Sequence, residues 1–379
     1  MSGTVPSDDL RSHLALALVP NLGPGRTAAV LAKFGTASTS LKATYQQLIT
    51  IPGLGEKLAS QFVESFRSVD VDAEMALIEK HGISNLILGR EGYPERLANI
   101  PDAPPLLYKR GEFSPLDINA VGIVGSRACT SYGRKMTEKI AQGLARAGWT
   151  VVSGLARGID GVAHAAALDA GGRTIAVLAG GLSKIYPPEH KELAERVITN
   201  GCLVTETPMT VDPQPGMFPA RNRIISGLSR AVVIVEANFK SGALITATHA
   251  AEQGREVFAV PGPADSPASA GCLELIRKGV RLVRNVDDIL EDLKGISPIE
   301  LPKRDSNLFE MAAPILNVGP PPGLDETQLK IWNALDRLTP LDELTRLTEI
   351  PVGTLSMMLM HLELKKVVRR LPGNQFERR

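Results

Sequence analysis

The chain has 379 residues and a net charge of +1, so there is room for two or three domains and no global field that would announce a polyanionic partner. Any nucleic-acid contact has to be a local patch. A hydrophobic content of 44% against 22% charged residues is that of a globular protein with a large core. Cys129, Cys202 and Cys272 lie far apart, match no metal-ligand spacing, and read as buried thiols of a reducing compartment, with no metal expected. The start MSGTVPSDDL lacks the basic and apolar parts of a signal peptide, and no apolar run approaches the ~20 residues of a membrane span. The expected location is the cytoplasm, without a membrane partner.

Residues 1–72 read as helical. VPNLGPGRTAAVLAKFG and TIPGLGEKLASQF each look like the hairpin of a helix-hairpin-helix pair, as in SAM-like domains. Their turns are Gly23-Pro24-Gly25 and Gly53-Leu54-Gly55. Such a turn can offer backbone amides to a DNA phosphate, with Arg26 and Lys57 following as accessory contacts. Packing alone is the competing reading of both copies.

From 73 to 296, apolar β-branched runs alternate with Ala-rich helical stretches. The strand candidates are Ala120–Val124, Thr150–Ser153, Thr174–Leu178, Leu203–Thr205, Ala231–Val235 and Val257–Val260, with helices such as Gly133–Ala147 and Gly161–Ala170 between them. This alternation predicts an α/β fold, an extended Rossmann-like parallel sheet with helices on both faces. Unbroken apolar strands such as AVVIV agree, because parallel strands are buried on both sides. Ligands of such sheets sit beyond the carboxyl ends of the strands, so function should be sought there.

After the first of these strands comes Gly125-Ser126-Arg127 and then a helix. Glycine permits close approach, and amides, a hydroxyl and a guanidinium together make a phosphate cradle. A dinucleotide site is the alternative at this position. Gly-x-Gly-x-x-Gly is absent, however, and the next strand ends in Val152-Ser153-Gly154 without a ribose-binding acid, so no cofactor is expected. SGLARGIDGVAH then offers Arg157, with Asp160 as a helix cap and His164 as either a contact or an inner-face residue. AGGLSKIYPPEH offers Lys184. The most informative run is PGMFPARNRIISGLSR, where Phe218 precedes Arg221, Asn222 and Arg223 with no acid nearby. An aromatic beside arginines suits a base stacked on a ring with phosphates held close by. The competing reading puts Phe218 in the core and pairs one arginine with Glu206. No nucleophile elbow, P-loop or His–Glu metal spacing occurs, so no catalytic residue is expected.

Ser297 to Gly323, with GPPPG, reads as a linker (297–323), and 324–379 as a winged-helix domain. Helices are expected near Glu326–Leu338, Leu341–Thr348 and Gly353–Leu364, and strands at Lys365–Arg370 and Gln375–Arg379. The third helix, TLSMMLMHLEL, has no arginine, lysine or asparagine for a groove. From His361 onward six basic and two acidic residues leave +4 in the wing, where Arg369 and Arg370 are the candidate phosphate contacts.

GSR, SGLARGID-x-x-AH, FPARNRIISGLS, VVIVEA, SGALITA and GREVFAVPG, in this order, resemble the DprA/Smf family over about residues 80 to 290. The resemblance implies that the protein binds single-stranded DNA without reacting on it, and loads the RecA recombinase onto it during natural transformation. It implies a homodimer through the late part of the Rossmann domain. It also implies that Ser126 and Arg127 hold phosphate, Phe218 stacks on a base, and Arg221 and Arg223 belong to a basic pocket with Lys184. The chain departs from the family where an asparagine usually follows the Tyr-Pro pair and His190 stands instead, and at Gly271-Cys272-Leu273-Glu274, near the implied dimer surface. Two other functions fit the same architecture. One is a nucleoside-monophosphate phosphoribohydrolase, although SGALITA lacks the Gly-Gly-x-Gly-Thr loop of those enzymes. The other is a regulator binding duplex DNA through the winged helix.

Overall fold

The computed structural model describes residues 7–294, 324–335, 339–348, 350–365, 367–371 and 375–378. These fall into two compact units, one within Met1–Leu301 and one within Pro302–Arg379. The linker expected at 297–323 lies outside the described residues. No helix among them is long and apolar enough to cross a membrane.

The first unit is built on nine strands: β1 (Ser84–Ile87), β2 (Leu106–Gly111), β3 (Ala120–Val124), β4 (Thr150–Ser153), β5 (Thr174–Val177), β6 (Gly201–Thr205), β7 (Ala231–Ile234), β8 (Glu256–Ala259) and β9 (Arg281–Leu282). They pair in the order β1-β2-β6-β5-β4-β3-β7-β8-β9. β6 through β9 run parallel, while β1 and β2 extend the sheet antiparallel beyond β6. The six expected strands are present within a residue or two at each end. β1, β2 and β9 were not foreseen. SNLI is a short, half-exposed edge strand, and Arg281–Leu282 is only two residues long and exposed, so neither carries the apolar run that marks a buried strand.

Strand side chains alternate between two cores. Val121, Ile123 and Val151 pack with Ile140 and Leu144 of helix Ser131–Arg146 on one face. Val124, Val152 and Ile175 pack with Ile224 and Leu228 of helix Met217–Leu228 on the other. Every residue of β3 to β7 is buried, as parallel strands covered on both faces require.

The N-terminal helices form their own cluster around Leu16, Val30, Leu48 and Phe62. Two residues away, on the opposite face of helix Ser7–Ala17, Leu14 packs instead with Tyr108 and Leu203 of the sheet and with Leu178 just past β5, so this region is seated on the α/β core within a single unit. The second turn of the helix-hairpin-helix pair, Gly53-Leu54-Gly55, directly precedes helix Glu56–Ser68, whereas Gly23-Pro24-Gly25 is the first turn of helix Gly23–Phe34.

The second unit has helices Glu326–Ala334, Leu341–Thr348 and Val352–Leu364 and a small sheet. In that sheet β12 (Gln375–Arg378) lies between β10 (Thr339–Pro340) and β11 (Val368–Leu371). Leu355, Leu359 and Leu362 of the third helix are buried, while Met357 and Met360 are exposed. The basic side chains missing from this helix in the sequence are therefore also missing from its outer face.

Candidate nucleic-acid interface

β3 is flanked by β4 on one side and β7 on the other, which makes it the switch point of the sheet. The loops that leave these three strands open on the same edge. A cleft of about 720 Å³ runs along it, lined among others by Gly125, Ser126, Arg127, Phe218, Arg221 and Asn222. A side pocket shares Arg127, Tyr186, Phe218 and Arg221 with the cleft and adds Gly154, Arg157 and Lys184. Eight of the nine expected site residues thus meet in one place.

The ninth, Arg223, does not. Helix Met217–Leu228 carries Phe218, Arg221 and Asn222 at i, i+3 and i+4, one stripe of a 3.6-residue helix, and Arg223 falls on the next face. There its guanidinium is buried, holding the Glu206 carboxylate through two nitrogens at 2.9 and 2.7 Å and Asp102 through Nε at 2.7 Å. Burial opposes its charge, but the two carboxylates outweigh burial and hold the group more firmly protonated than an ordinary arginine. This corrects the expected basic pocket: Arg223 is a structural ion pair, the reading that competed with it. Helical spacing alone would have separated it from its neighbours.

At the mouth, the Arg127 guanidinium lies over the Phe218 ring, 4.6 Å from its centroid. Tyr186 tilts against the same ring at 6.1 Å. Arg127 and Tyr186 are exposed and Phe218 is half-buried, so one ring edge and one guanidinium face solvent together. The Asn222 amide donates to Gly242 O at 3.2 Å and ties this helix to the first residue of helix Gly242–Glu252, which follows β7. Arg221 is 5% exposed and forms the floor. One of its terminal nitrogens donates to Val177 O, and its Nε has no partner. Burial, with the nearby charge of Arg127, lowers its pKa to about 10, against the opposing pull of Asp160.

Gly154 is required by this floor: a Cβ there would stand 1.9 Å from an Arg221 nitrogen. The loop that follows is fixed bond by bond. Leu155 sits in the left-handed region at φ +54°, unusual for a branched apolar residue. Its N–H donates to His164 Nε2 at 3.3 Å, and its carbonyl accepts from His190 Nδ1 at 2.9 Å. His164 Nδ1 meets Thr174 Oγ1 at 2.6 Å, and that hydroxyl already donates to Val151 O. The hydroxyl can therefore only accept from the ring, which places the His164 proton on Nδ1 and leaves Nε2 as the acceptor that Leu155 needs. Full burial, with His190 and Arg221 nearby, lowers the His164 pKa to about 3. His164 is an inner-face residue, not a ligand contact. Asp160 does not cap its helix from outside either: it is buried in the first turn and accepts from Gly154 N at 3.1 Å, and burial pushes its pKa up.

The carboxylates at this edge are already engaged. Glu236, just past β7, accepts from Thr130 N at 2.9 Å and Thr130 Oγ1 at 2.5 Å, anchoring the start of helix Ser131–Arg146. Arg157 pairs with Glu189, and Lys184 with Asp212 at 3.1 Å; all four are exposed. Exposed pairs of this kind are worth ~0–1 kcal/mol and open readily to a competing phosphate. Tyr186, Asn238 and Lys240 are among the cleft residues that escaped sequence reading. Lys240 follows β7, so the rule of strand ends pointed to it. Tyr186 stood in the quoted KIYPPEH run, but nothing in that run showed that it meets Phe218.

The accessory positions differ among themselves. Arg26 is exposed but spends its guanidinium on Gly53 O at 3.1 Å and Asn21 O at 2.8 Å, clamping the two turns together. Lys57 is exposed. Arg369 is exposed on β11, and the side chain of Arg370 lies outside the described residues.

A parallel-dominated α/β sheet with a basic, aromatic-edged cleft at its switch point, joined to a winged helix, defines the class as a Rossmann-like α/β protein with a winged-helix domain. Comparison with known proteins narrows it. Residues 84–294 match the family model of DNA recombination-mediator protein A, and residues 318–374 match that of the DprA winged helix domain. Protein Smf of Synechocystis is 36% identical over 97% of this chain and 98% of its own. The X-ray structure of DNA processing protein A from Streptococcus pneumoniae superposes with a TM-score of 0.64 at 36% identity, covering 74% of this chain and 95% of that one. The Helicobacter pylori DNA processing protein A, solved for its single-stranded DNA binding mode, gives 0.52 at 31%, covering 57% and 97%. The chain belongs to the DNA recombination-mediator protein A family, also called DprA/Smf.

Proposed function

We propose that this protein binds single-stranded DNA in the cleft at the switch point and delivers it to a recombinase, without chemistry on the strand. The observation that carries the reading is the Arg127 guanidinium stacked over the half-exposed Phe218 ring, with Arg221 beneath and no uncommitted carboxylate beside them. A ring edge for a base and cations for phosphate are what sequence-tolerant single-strand binding needs. In this reading Gly125, Ser126 and Arg127 cradle phosphate and Phe218 stacks on a base. Arg157 and Lys184 exchange their acidic partners for phosphates, and Asn222 and Arg221 shape the floor. The helical region of 1–72 and the winged helix of 324–379 are accessories, with Lys57 and Arg369 their exposed cations. Family membership and the likeness to the Helicobacter pylori DNA processing protein A, solved for its single-stranded DNA binding mode, support the ligand. RecA as recipient, pairing of two copies through the late part of the Rossmann domain, and a cytoplasmic location come with the family reading.

The test is fluorescence anisotropy with an oligothymidylate against a duplex of matched length. Single strand should bind more tightly, and Phe218→Ala should cost ~1–3 kcal/mol of affinity with thermal stability nearly unchanged. Tighter duplex binding would move the function to the winged helix. Release of free base from AMP at enzymatic rates would replace binding with hydrolysis.

A further inference from the structure

Behind the cleft lies a second groove of about 590 Å³. One wall is the N-terminal helical region, from Leu16 to Thr27. The other is the loop after β6, from Glu206 to Gln214. The groove adjoins the side pocket of the cleft: Leu178, Ala179 and Arg221, all buried, line both and form the wall between them. Arg221 is therefore a shared post: one buried cation, with a bare Nε, lines both spaces.

The groove has the chemistry of a base-binding surface. Its walls are mostly aliphatic, with Leu16, Val19, Pro24 and Met217 among them. Asn21, Thr210 and Gln214 stand along it, exposed, and among the described residues their side chains make no hydrogen bond. Apolar walls suit the faces of a nucleobase and amides and hydroxyls suit its edges. The one carboxylate in the lining, Glu206, is already neutralised by Arg223. Among the described lining residues the shared Arg221 is the one lysine or arginine, and His13 also lines the groove.

We propose that a single strand lying in the cleft continues past Arg221 into this groove, so that the N-terminal helical region takes one or more further nucleobases of the same strand. The inference rests on the cleft being the single-strand site. It assigns to the helical region a contact through its inner groove, not through the outward Gly-x-Gly turns, whose Arg26 is occupied by carbonyls.

The test uses Thr210→Trp, which fills the groove from an exposed position that lines neither the cleft nor its side pocket. Affinities are measured for oligothymidylates of about 4 and about 12 nucleotides. The expected result is an unchanged short-oligomer affinity and a long-oligomer affinity reduced about tenfold. Equal long-oligomer affinity in the two proteins overturns the proposal. In parallel, Phe218→Ala is measured with the short oligomer. If that variant binds normally, the cleft reading fails first, and the two failures are thereby separated. Should Thr210→Trp not fold, the unmodified protein is photocrosslinked to the long oligomer carrying thiothymidine at either end. Adducts within residues 16–27 or 207–214 support the groove, and adducts confined to the cleft residues overturn it.

Discussion

Replacing His164 by Leu tests how the cleft loop is held. The ring is 0% exposed, gives its Nδ1 proton to Thr174 and accepts the Leu155 N–H on Nε2. Leucine fills similar space but strands that buried N–H, at a cost of ~1–3 kcal/mol. It also leaves Leu155 in a left-handed conformation, itself worth ~1–2 kcal/mol, without the bond that holds it there. At pH 7.5 the variant should be ~2–4 kcal/mol less stable. The gap should shrink in acid. In the unfolded chain a histidine titrates near its ordinary 6.5, while folded His164 stays neutral down to about 3. Its contribution is therefore complete above pH 6.5 and is lost as pH falls from there toward about 3, at ~1.4 kcal/mol per pH unit. At pH 5 the parent protein should have lost ~2 kcal/mol that the variant never had. Urea unfolding followed through Trp149, in a Trp332→Phe background so that only the first unit reports, measures both gaps. A gap under ~0.5 kcal/mol at pH 7.5 would refute the clamp, and a gap independent of pH would refute the neutral buried ring.

Other substitutions separate binding from folding. Arg127→Ala should weaken oligothymidylate binding and lower the slope of log affinity against log salt by ~0.7, the share of one phosphate on a single strand; an unchanged slope removes Arg127 from the site. Arg223→Ala should cost ~3–5 kcal/mol of stability by leaving Glu206 and Asp102 without their cation, and at temperatures where the variant is folded its salt slope should match the parent's. Gly154→Ala should push Arg221 off the floor and abolish binding with only a modest melting shift; retained affinity would show that the floor is not used. His190→Asn should preserve affinity, because the asparagine amide can replace Nδ1–H toward the Leu155 carbonyl, whereas His190→Ala should lower it.

Periodicity in this chain determined the strand-and-helix alternation, the parallel sheet and the edge where ligand-facing loops gather. Those features depend on which residues are apolar at which spacing, and spacing is a property of sequence. Motif order pointed to the family, and the strand-end rule led to Ser126, Arg127, Arg157 and Phe218, which line the cleft and its side pocket. What lay beyond reach was pairing between distant segments. Nothing in FPARNR alone says that Arg223 meets Asp102 and Glu206, because the partners arrive from a loop before β2 and from the end of β6. Likewise His164 and His190, 26 positions apart in sequence, meet only at Leu155, once β4 and β5 lie side by side. Helical spacing puts Arg221 and Arg223 on different faces, but only packing decides which face is desolvated beside a carboxylate and which opens to the cleft. Tertiary structure made that choice here: it buried Arg223 as a strut, set Arg221 as a floor, and left Arg127 over Phe218 at the surface.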